Sequence, residues 1–206
     1  MSGHSISLNG NGTVVAIGAH WNNGTDDKSG SVRVYGIDNT EWMQLGNDID
    51  GETGKDRSGY SVSLSDNGLV LAVGAPWNAG NGRRTGQVRV YSFDGSDWIQ
   101  VGDDIDGEEL DEELGYDVAI SGDGITVAGG APFNDENGRK RGQVRIFEPA
   151  VSIDPIGTDD GNTGTDDGNT GGDNTGGGGI VILICLDVIM RFVRSVITST
   201  RERFLI

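Results

Sequence analysis

The chain repeats one sequence pattern three times at a fixed spacing of 56 residues. Residues 71–91 read LAVGAPWNAGNGRRTGQVRVY, residues 15–35 read VAIGAHWNNGTDDKSGSVRVY, and residues 127–147 read VAGGAPFNDENGRKRGQVRIF. A single unit of this size cannot bury its own apolar faces, so repeats stack and cover one another. The period therefore favours a solenoid or a propeller.

The second copy opens with two predicted strands. Ser61–Ser65 alternates polar and apolar residues, which predicts a half-buried strand with Val62 and Leu64 on one face. Asp66–Gly68 follows as a turn that tolerates positive φ. Leu69–Ala75 is continuously apolar, which predicts a strand buried on both faces.

Two further strands complete the unit. Val88–Tyr91 alternates again, which places Val88 and Val90 inward and Arg89 and Tyr91 outward. Trp98–Gly102 is the fourth predicted strand. Helical periodicity is missing from the sequence of residues 1–149, so each unit is read as a four-stranded propeller blade.

The repeat resembles a known family in its signature positions. The pattern Gly-x-Ser-Val-Ser-Leu-Ser-x-x-Gly, then Val-Gly-Ala-Pro, then Gly-x-Val-Arg-Val-Tyr is similar to the FG-GAP repeat, the blade of integrin-α-type β-propellers. The Gly-Ala-Pro signature stands at Gly74–Pro76 and Gly130–Pro132, and as Gly18–His20 in the first copy. Ser58 and Leu114 replace the aromatic residue of the Phe-Gly pair. The resemblance implies an all-β fold, a partial propeller of four-stranded antiparallel blades.

The three copies do not add up to a closed propeller. The resemblance implies about seven blades, whereas residues 3–58 and 59–114 form two units and residues 115–149 form a third that stops after a strand at Gln143–Phe147. We count 11 strands in this interpretation. The chain is then a fragment of a larger protein, which we favour, or it self-associates to complete the propeller, or it persists as an open stack.

The charge distribution limits the partners. The net charge is −17, and residues 150–179 contain six Asp and no basic residue. Such an acidic chain repels phosphate backbones, so nucleic acid is excluded as a partner. Cys185 is the only cysteine, which excludes an intrachain disulfide and a zinc site built on cysteines. The sequence MSGHSISLNGNG at residues 1–12 lacks the basic and apolar regions of a signal peptide.

The last 57 residues divide into two segments of contrasting composition. Residues 150–179 are rich in Gly, Asp, Asn and Thr, which predicts a disordered acidic linker, with weak calcium binding by its Asp residues as the alternative. Residues 180–206 place their polar side chains on one helical face, which predicts an amphipathic helix in contact with a membrane. The alternatives are a helix that covers an open propeller face and a tail that is foreign to the family.

Two repeated loops are candidate binding sites. The loop between blades repeats its carboxylates, which predicts either a solvated acidic loop or weak calcium binding, with calcium as the one cofactor considered; the residues are Asp50, Glu52, Asp56, Asp106, Glu108 and Glu112. A basic loop between the second and third strands predicts either an exposed hairpin tip or a contact with an anionic glycan or an acidic partner; its residues are Arg83, Arg84, Arg139, Lys140 and Arg141.

The short loops between the first two strands of each unit are interpreted as hairpin turns, since each holds at most one carboxylate. Catalysis has little support, because His4 and His20 fall at different positions of the repeat and no spacing selects a triad.

The sequence thus predicts a non-enzymatic recognition or adhesion module with an unidentified protein or glycan ligand, located outside the cell or at its surface. This function rests on the resemblance. The alternatives are a structural or truncated repeat protein without binding activity and, with least support, a propeller-type hydrolase.

Overall fold

Three antiparallel β-sheets follow one another along the chain, one for each copy of the repeat. The computed structural model describes residues 2–136, 138–139 and 141–148, and these ranges contain strands and no helix. The first sheet comprises β1 (Ser5–Leu8), β2 (Val14–Gly18), β3 (Ser31–Asp38), β4 (Glu41–Gln44) and β5 (Ile49–Asp50). The second comprises β6 (Ser61–Leu64), β7 (Val70–Ala75), β8 (Gln87–Phe93), β9 (Trp98–Gln100) and β10 (Ile105–Asp106). The third comprises β11 (Asp117–Ile120), β12 (Val127–Ala131) and β13 (Gln143–Phe147).

The all-β class and the blade-like sheets confirm the sequence interpretation, but the outer strand differs from it. In the first sheet β4 pairs with one end of β3, and β5 pairs with the other end of the same strand. Gly46 lies between them with a φ of 70°, and Gly102 has a φ of 73° at the same place in the second sheet. These left-handed glycines divide one long outer strand into two. The described residues therefore hold 13 strands rather than 11, and the fourth predicted strand ends at Gln100 instead of Gly102.

The second sheet is buried on both faces because it lies between the other two. Leu71, Val73 and Tyr91 join a core cluster with side chains of the first sheet. Val88 and Val90 join a second cluster with side chains of the third sheet. Each face of the central sheet thus forms the core of one junction between blades.

This arrangement corrects the predicted outward orientation of Arg89 and Tyr91. Both side chains do face away from Val88 and Val90, yet they are only 5% and 6% exposed. The first blade covers the side that a two-layer interpretation would leave to solvent. Ser61, expected on the polar side of a half-buried strand, is buried for the related reason that the third blade lies over it.

Serines on the innermost strands link neighbouring blades. The Ser5 hydroxyl donates to the Gly59 carbonyl over 2.9 Å, and the Ser61 hydroxyl donates to the Gly115 carbonyl over the same distance. The Ser-x-Ser pattern at the start of the first two units therefore forms hydrogen bonds between sheets.

Two further glycines allow this close approach. A Cβ built on Gly18 would lie 2.1 Å from the Gly59 carbonyl oxygen, and one on Gly74 would lie 2.1 Å from the Gly115 oxygen. Both distances are far below van der Waals contact, so the repeat requires glycine at these positions for blade packing rather than for a turn.

The predicted linker at 150–179 and the predicted tail helix at 180–206 lie outside the described residues. Among the residues that the structure does describe, none forms a helix long and apolar enough to cross a membrane.

Candidate functional site

The repeat brings aromatic side chains together at one end of the three blades, where β1, β6 and β11 begin. Antiparallel pairing places the start of each first strand beside the end of the second. Aromatic residues occupy both positions in all three units, and His20 adds a further ring in the first. We call this set the aromatic rim: His4, His20, Trp21, Tyr60, Trp77, Tyr116 and Phe133.

Ring contacts connect the rim across all three blades. The centroids of His4 and His20 are 3.9 Å apart, and those of His20 and Tyr60 are 5.3 Å apart. Tyr60 continues to Tyr116 at 4.9 Å, and Tyr116 meets Phe133 edge-on at 6.1 Å. Such tilted and edge-on pairs are the favoured geometries of aromatic side chains. The two histidines, which occupy different repeat positions, are thus brought together by the fold.

Arg57 lies between two tryptophans of adjacent blades. Its guanidinium carbon is 3.2 Å from the centroid of Trp77 and 4.3 Å from that of Trp21. Arg84 lies on Trp77 as well, at 4.0 Å. All three contacts fall within the range of a cation–π interaction. The Nε atom of Arg57 is buried without a hydrogen-bond partner in the described part of the chain.

Burial shifts the titration of the rim. It lowers the pKa of His20 to about 4, with the neighbouring His4 and Arg57 adding to the effect. Burial also raises the pKa of Tyr60 to about 12, assisted by its contact with Tyr116. The pKa of Glu113 is raised, again mainly by burial. His20 and Tyr60 are therefore neutral at neutral pH. The guanidinium groups of Arg57 and Arg84 lie beside them on the rim tryptophan Trp77.

The two candidate loops of the sequence analysis meet each other. Arg83 forms an ion pair with Asp111, and Arg84 forms one with Glu113 at 3.6 Å. Part of the charge of the basic loop is thus neutralised by the acidic loop that follows it in the chain. Arg139, which corresponds to Arg83, and Arg141, which corresponds to Thr85, are both exposed in the third unit. Lys140 lies outside the described residues.

Two of the six candidate calcium ligands instead organise the loops that contain them. Asp56 is 2% exposed and accepts hydrogen bonds from the Thr53 amide at 2.9 Å and the Asn78 side chain at 3.2 Å. Glu112 at the next junction is fully buried. Its carboxylate accepts from the Glu108 amide and from Asn134, as well as from the guanidinium of Arg145 at 2.7 Å.

The other candidate ligands lie along the junctions. The side-chain Nε2 of Gln87 donates to the carboxylate of Glu52 at 3.3 Å and to that of Asp106 at 3.2 Å. Burial is the main cause of the raised pKa values of Asp50 and Asp106. Within the described ranges, no group of three or more His, Cys, Asp and Glu side chains converges to hold a metal ion. Calcium binding by these loops stays a prediction.

Sequence reasoning missed the aromatic rim, although its signal is present. The residue that follows Gly-Ala-Pro or Gly-Ala-His is aromatic in all three units, as Trp21, Trp77 and Phe133. Because apolar residues next to strands are usually taken as core, this repeated aromatic did not suggest a surface. Its exposure is 36% at Trp21 and 37% at Phe133.

Comparison with known proteins agrees with the repeat and its geometry. The model of the FG-GAP repeat matches residues 48–91, a span that runs from β5 through the first junction to β8. Residues 48–91 carry an FG-GAP repeat. The match covers the Ser-x-Ser strand, the Gly-Ala-Pro turn and the loop that holds Arg57, so the features that join FG-GAP blades here lie inside the family pattern.

The similar solved structures are distant. A proposed 6-phosphogluconolactonase from Bacteroides uniformis shares 13% identity over 69% of this chain, with a TM-score of 0.45. The hydrazine synthase of Kuenenia stuttgartiensis shares 14% identity over 70% of this chain, with a TM-score of 0.39. The chain spans only 35% and 32% of the length of these two proteins. At these TM-scores neither similarity bears on function. The chain matches no curated protein.

Proposed function

We propose that this FG-GAP protein is a non-enzymatic recognition module of the adhesion type, located outside the cell or at its surface. The aromatic rim binds an acidic protein partner. The observation that carries the proposal is Arg57, held between Trp21 and Trp77 at the junction of two blades. The location rests on the resemblance to integrin-α-type blades.

The composition of the rim is that of a protein-binding surface. Trp, Tyr and Arg dominate the residues whose loss weakens protein–protein complexes most. Stacking holds Arg57 in place before a ligand arrives, so less side-chain entropy is lost on binding. Trp21 and Tyr116 are 36% and 40% exposed, which leaves area for a ligand to cover.

The basic residues beside the rim indicate an acidic ligand. A pocket of about 270 Å³ lies between the loops of the first junction and is lined by Lys55, Trp77, Arg83 and Arg84 among others. Asp56 also lines the pocket, and Arg83 and Arg84 pair with Asp111 and Glu113, so four basic groups (Lys55, Arg57, Arg83 and Arg84) outnumber three acidic ones here. In a chain with a net charge of −17, this local excess of basic groups is an exception. Carboxylates of a partner would find guanidinium donors there, beside rings that exclude water.

Tryptophan fluorescence of the full chain tests the proposal. The probe is a tryptophan-free peptide of alternating Glu and Ser, and a Gln and Ser peptide of equal length is its neutral control. We expect the acidic peptide to change the emission of Trp21 and Trp77 and to bind more weakly as salt is added. Arg57→Gln should weaken this binding about tenfold, as expected for the loss of a hydrogen bond to a charged group.

Arg139→Gln is the control, because it removes an exposed arginine from the loop between β12 and β13, away from the junction that holds Arg57. Binding that survives Arg57→Gln but not Arg139→Gln would move the site to the hairpin tip. Equal binding of both peptides would contradict the proposal that the site recognises acidic side chains. A heparin oligosaccharide in a parallel titration identifies a glycan surface if it alone binds.

A further inference from the structure

One face of the first blade has the composition of a buried junction but faces solvent. Where the second blade meets the first, three apolar side chains are only 9%, 7% and 7% exposed, namely Val62, Leu64 and Trp98. The residues at the same repeat positions in the first blade are 64%, 58% and 47% exposed, namely Ile6, Leu8 and Trp42. Exposed apolar side chains that share one sheet face indicate an interaction surface.

The third blade exposes the opposite, complementary face. Val88 and Val90 of the second blade are buried against the third. Their repeat equivalents are Val144 and Ile146, and Ile146 is 49% exposed. The first and third blades therefore expose the two halves of the junction that occurs twice within the chain.

Gly130 supports an occupant on the third blade. Its equivalents Gly18 and Gly74 are needed because the next blade brings a carbonyl to within 2.1 Å of where a Cβ would be. At Gly130 the nearest atom to such a Cβ is 3.6 Å away, and it belongs to Asp117 of the same blade. The third unit thus keeps a glycine for which the described residues give no steric reason.

We propose that the outer face of the first blade binds the outer face of the third blade of a second copy. The contact is head-to-tail and repeats the two junctions within the chain. The Gly3 carbonyl of one copy takes the place of the Gly59 and Gly115 carbonyls and lies against Gly130 of the other. Heterologous contacts of this kind form rings when the rotation closes and open chains when it does not.

Two sequence differences between the second and third units make this intermolecular junction weaker than the internal ones. Ser61 donates a hydroxyl to the Gly115 carbonyl, whereas the third unit has Asp117 at that position. The hydroxyl of Ser63 accepts the Ile120 amide over 3.1 Å, whereas the third unit has Ala119. The intermolecular contact therefore lacks two hydrogen bonds, and it sets a carboxylate against the Gly3 carbonyl.

Sedimentation of the full chain over a range of concentrations tests the proposal. We expect the average mass to rise with concentration, and the double substitution D117S/A119S to lower the concentration at half-association by at least about tenfold, since each hydrogen bond contributes roughly 1 kcal/mol. Gly130→Ala should raise that concentration by about tenfold or more, because the added methyl group overpacks the contact. Thermal unfolding should be unchanged for Gly130→Ala, since the monomer has room for the methyl group.

Two further variants complete the test. Leu8→Ser removes an apolar contact from the first-blade face and should weaken association. Ile99→Ser is the matched control, because Ile99 is 53% exposed on the central blade and lies on neither open face. A monomer at every concentration, even with D117S/A119S, would overturn the proposal, and so would association that Gly130→Ala leaves unchanged. Residues 149–206 or another protein on these faces would give the monomeric result.

Discussion

The two junctions between blades share one frame but carry different charges. At the first junction the connecting loop has Lys55, Asp56 and Arg57, and at the second it has Asp111, Glu112 and Glu113. In both loops the middle carboxylate is buried, and it accepts a hydrogen bond from the Asn that follows the Gly-Ala-Pro turn. The flanking residues reverse sign from one junction to the next.

This comparison shows which features of the connecting loop are the same at both junctions and which vary. The buried carboxylate and the backbone around it recur because they satisfy amides that would otherwise be buried without partners. Lys55 and Asp111 both have positive φ, and so do Arg57 and Glu113, so the backbone is the same whatever the charge. The flanking side chains are free to set the surface charge of each junction.

The largest expected effect is a loss of stability when one of the two buried carboxylates, Glu112, is removed, and it should exceed the loss at the other, Asp56. Glu112 forms an ion pair with Arg145, whose side chain is only 12% exposed. Removing one partner of a buried pair leaves an uncompensated charge, so Glu112→Ala should lower the free energy of unfolding by about 3–5 kcal/mol. Asp56→Ala removes only hydrogen bonds from neutral donors and should cost about 1–3 kcal/mol. Urea denaturation of both variants at pH 7 measures the difference.

A double variant controls that comparison. Glu112→Ala together with Arg145→Leu removes both charges, and it should recover part of the loss if the unpaired arginine is its cause. Equal losses for Glu112→Ala and Asp56→Ala would contradict a special role of the ion pair at the second junction.

The next prediction concerns His20, which stands where the other units have Pro76 and Pro132. The pKa of His20 is lowered from 6.5 to about 4, mainly by burial. Between these pH values the unfolded chain binds a proton that the folded chain does not, so stability falls as the pH drops from about 6.5 to 4. His20→Pro removes this penalty. The free energy of unfolding of the variant minus that of wild type should therefore be about 2 kcal/mol larger at pH 5 than at pH 7.

The measurement is urea denaturation of both proteins at pH 5 and pH 7. The proline should fit, since the amide of Asn22 bonds to the Ala19 carbonyl at 2.8 Å as Asn78 does to Ala75 at 3.0 Å. His4→Gln is the control for the neighbouring imidazole. A constant difference between wild type and His20→Pro at both pH values would show that His20 titrates normally.

The sequence predicted the strands better than it predicted what covers them. The 56-residue spacing and the apolar run at Leu69–Ala75 were sufficient for the blades and their order. Arg89 was assigned to solvent because alternation within one strand distinguishes two faces but does not show that a neighbouring sheet covers the second. In the structure the Arg89 guanidinium donates to the Asp50 carbonyl of the first blade at 3.2 Å.

The candidate site shows the same limit. The acidic and basic loops were identified separately, and their pairing through Arg83 and Asp111 spans 28 residues. The pairing of β10 with β8 inside the second sheet brings these loops together, so their partial neutralisation could not be predicted from either loop alone. The rim was missed because its ring contacts run across all three units, whereas each unit alone shows only separate aromatic residues before the first strand and after the second.

A smaller effect compares the serines of the two junctions. Ser61 and Ser5 donate to the carbonyls of Gly115 and Gly59, and the bond of Ser61 is the more buried. Ser61→Ala should cost about 1–2 kcal/mol because it leaves a buried carbonyl without this donor, and Ser5→Ala should cost about 0.5–1 kcal/mol because water can reach its partner. Thermal unfolding at equal protein concentration measures both, and a larger loss for Ser5→Ala would reverse our ranking of the junctions.

The smallest effect tests whether the flanking charges matter to stability at all. Arg83→Asp with Asp111→Lys gives the second junction the charges that Asp27 and Lys55 carry at the first. The side chain of Arg83 is 77% exposed, so solvent screens the pair, and the double variant should differ from wild type by less than about 0.5 kcal/mol. Asp111→Lys alone places two like charges together and should be slightly less stable at low salt, with the deficit disappearing as salt is added. A deficit that persists in the double variant at every salt concentration would mean that the backbone at Asp111, and not only its charge, differs from that at Lys55.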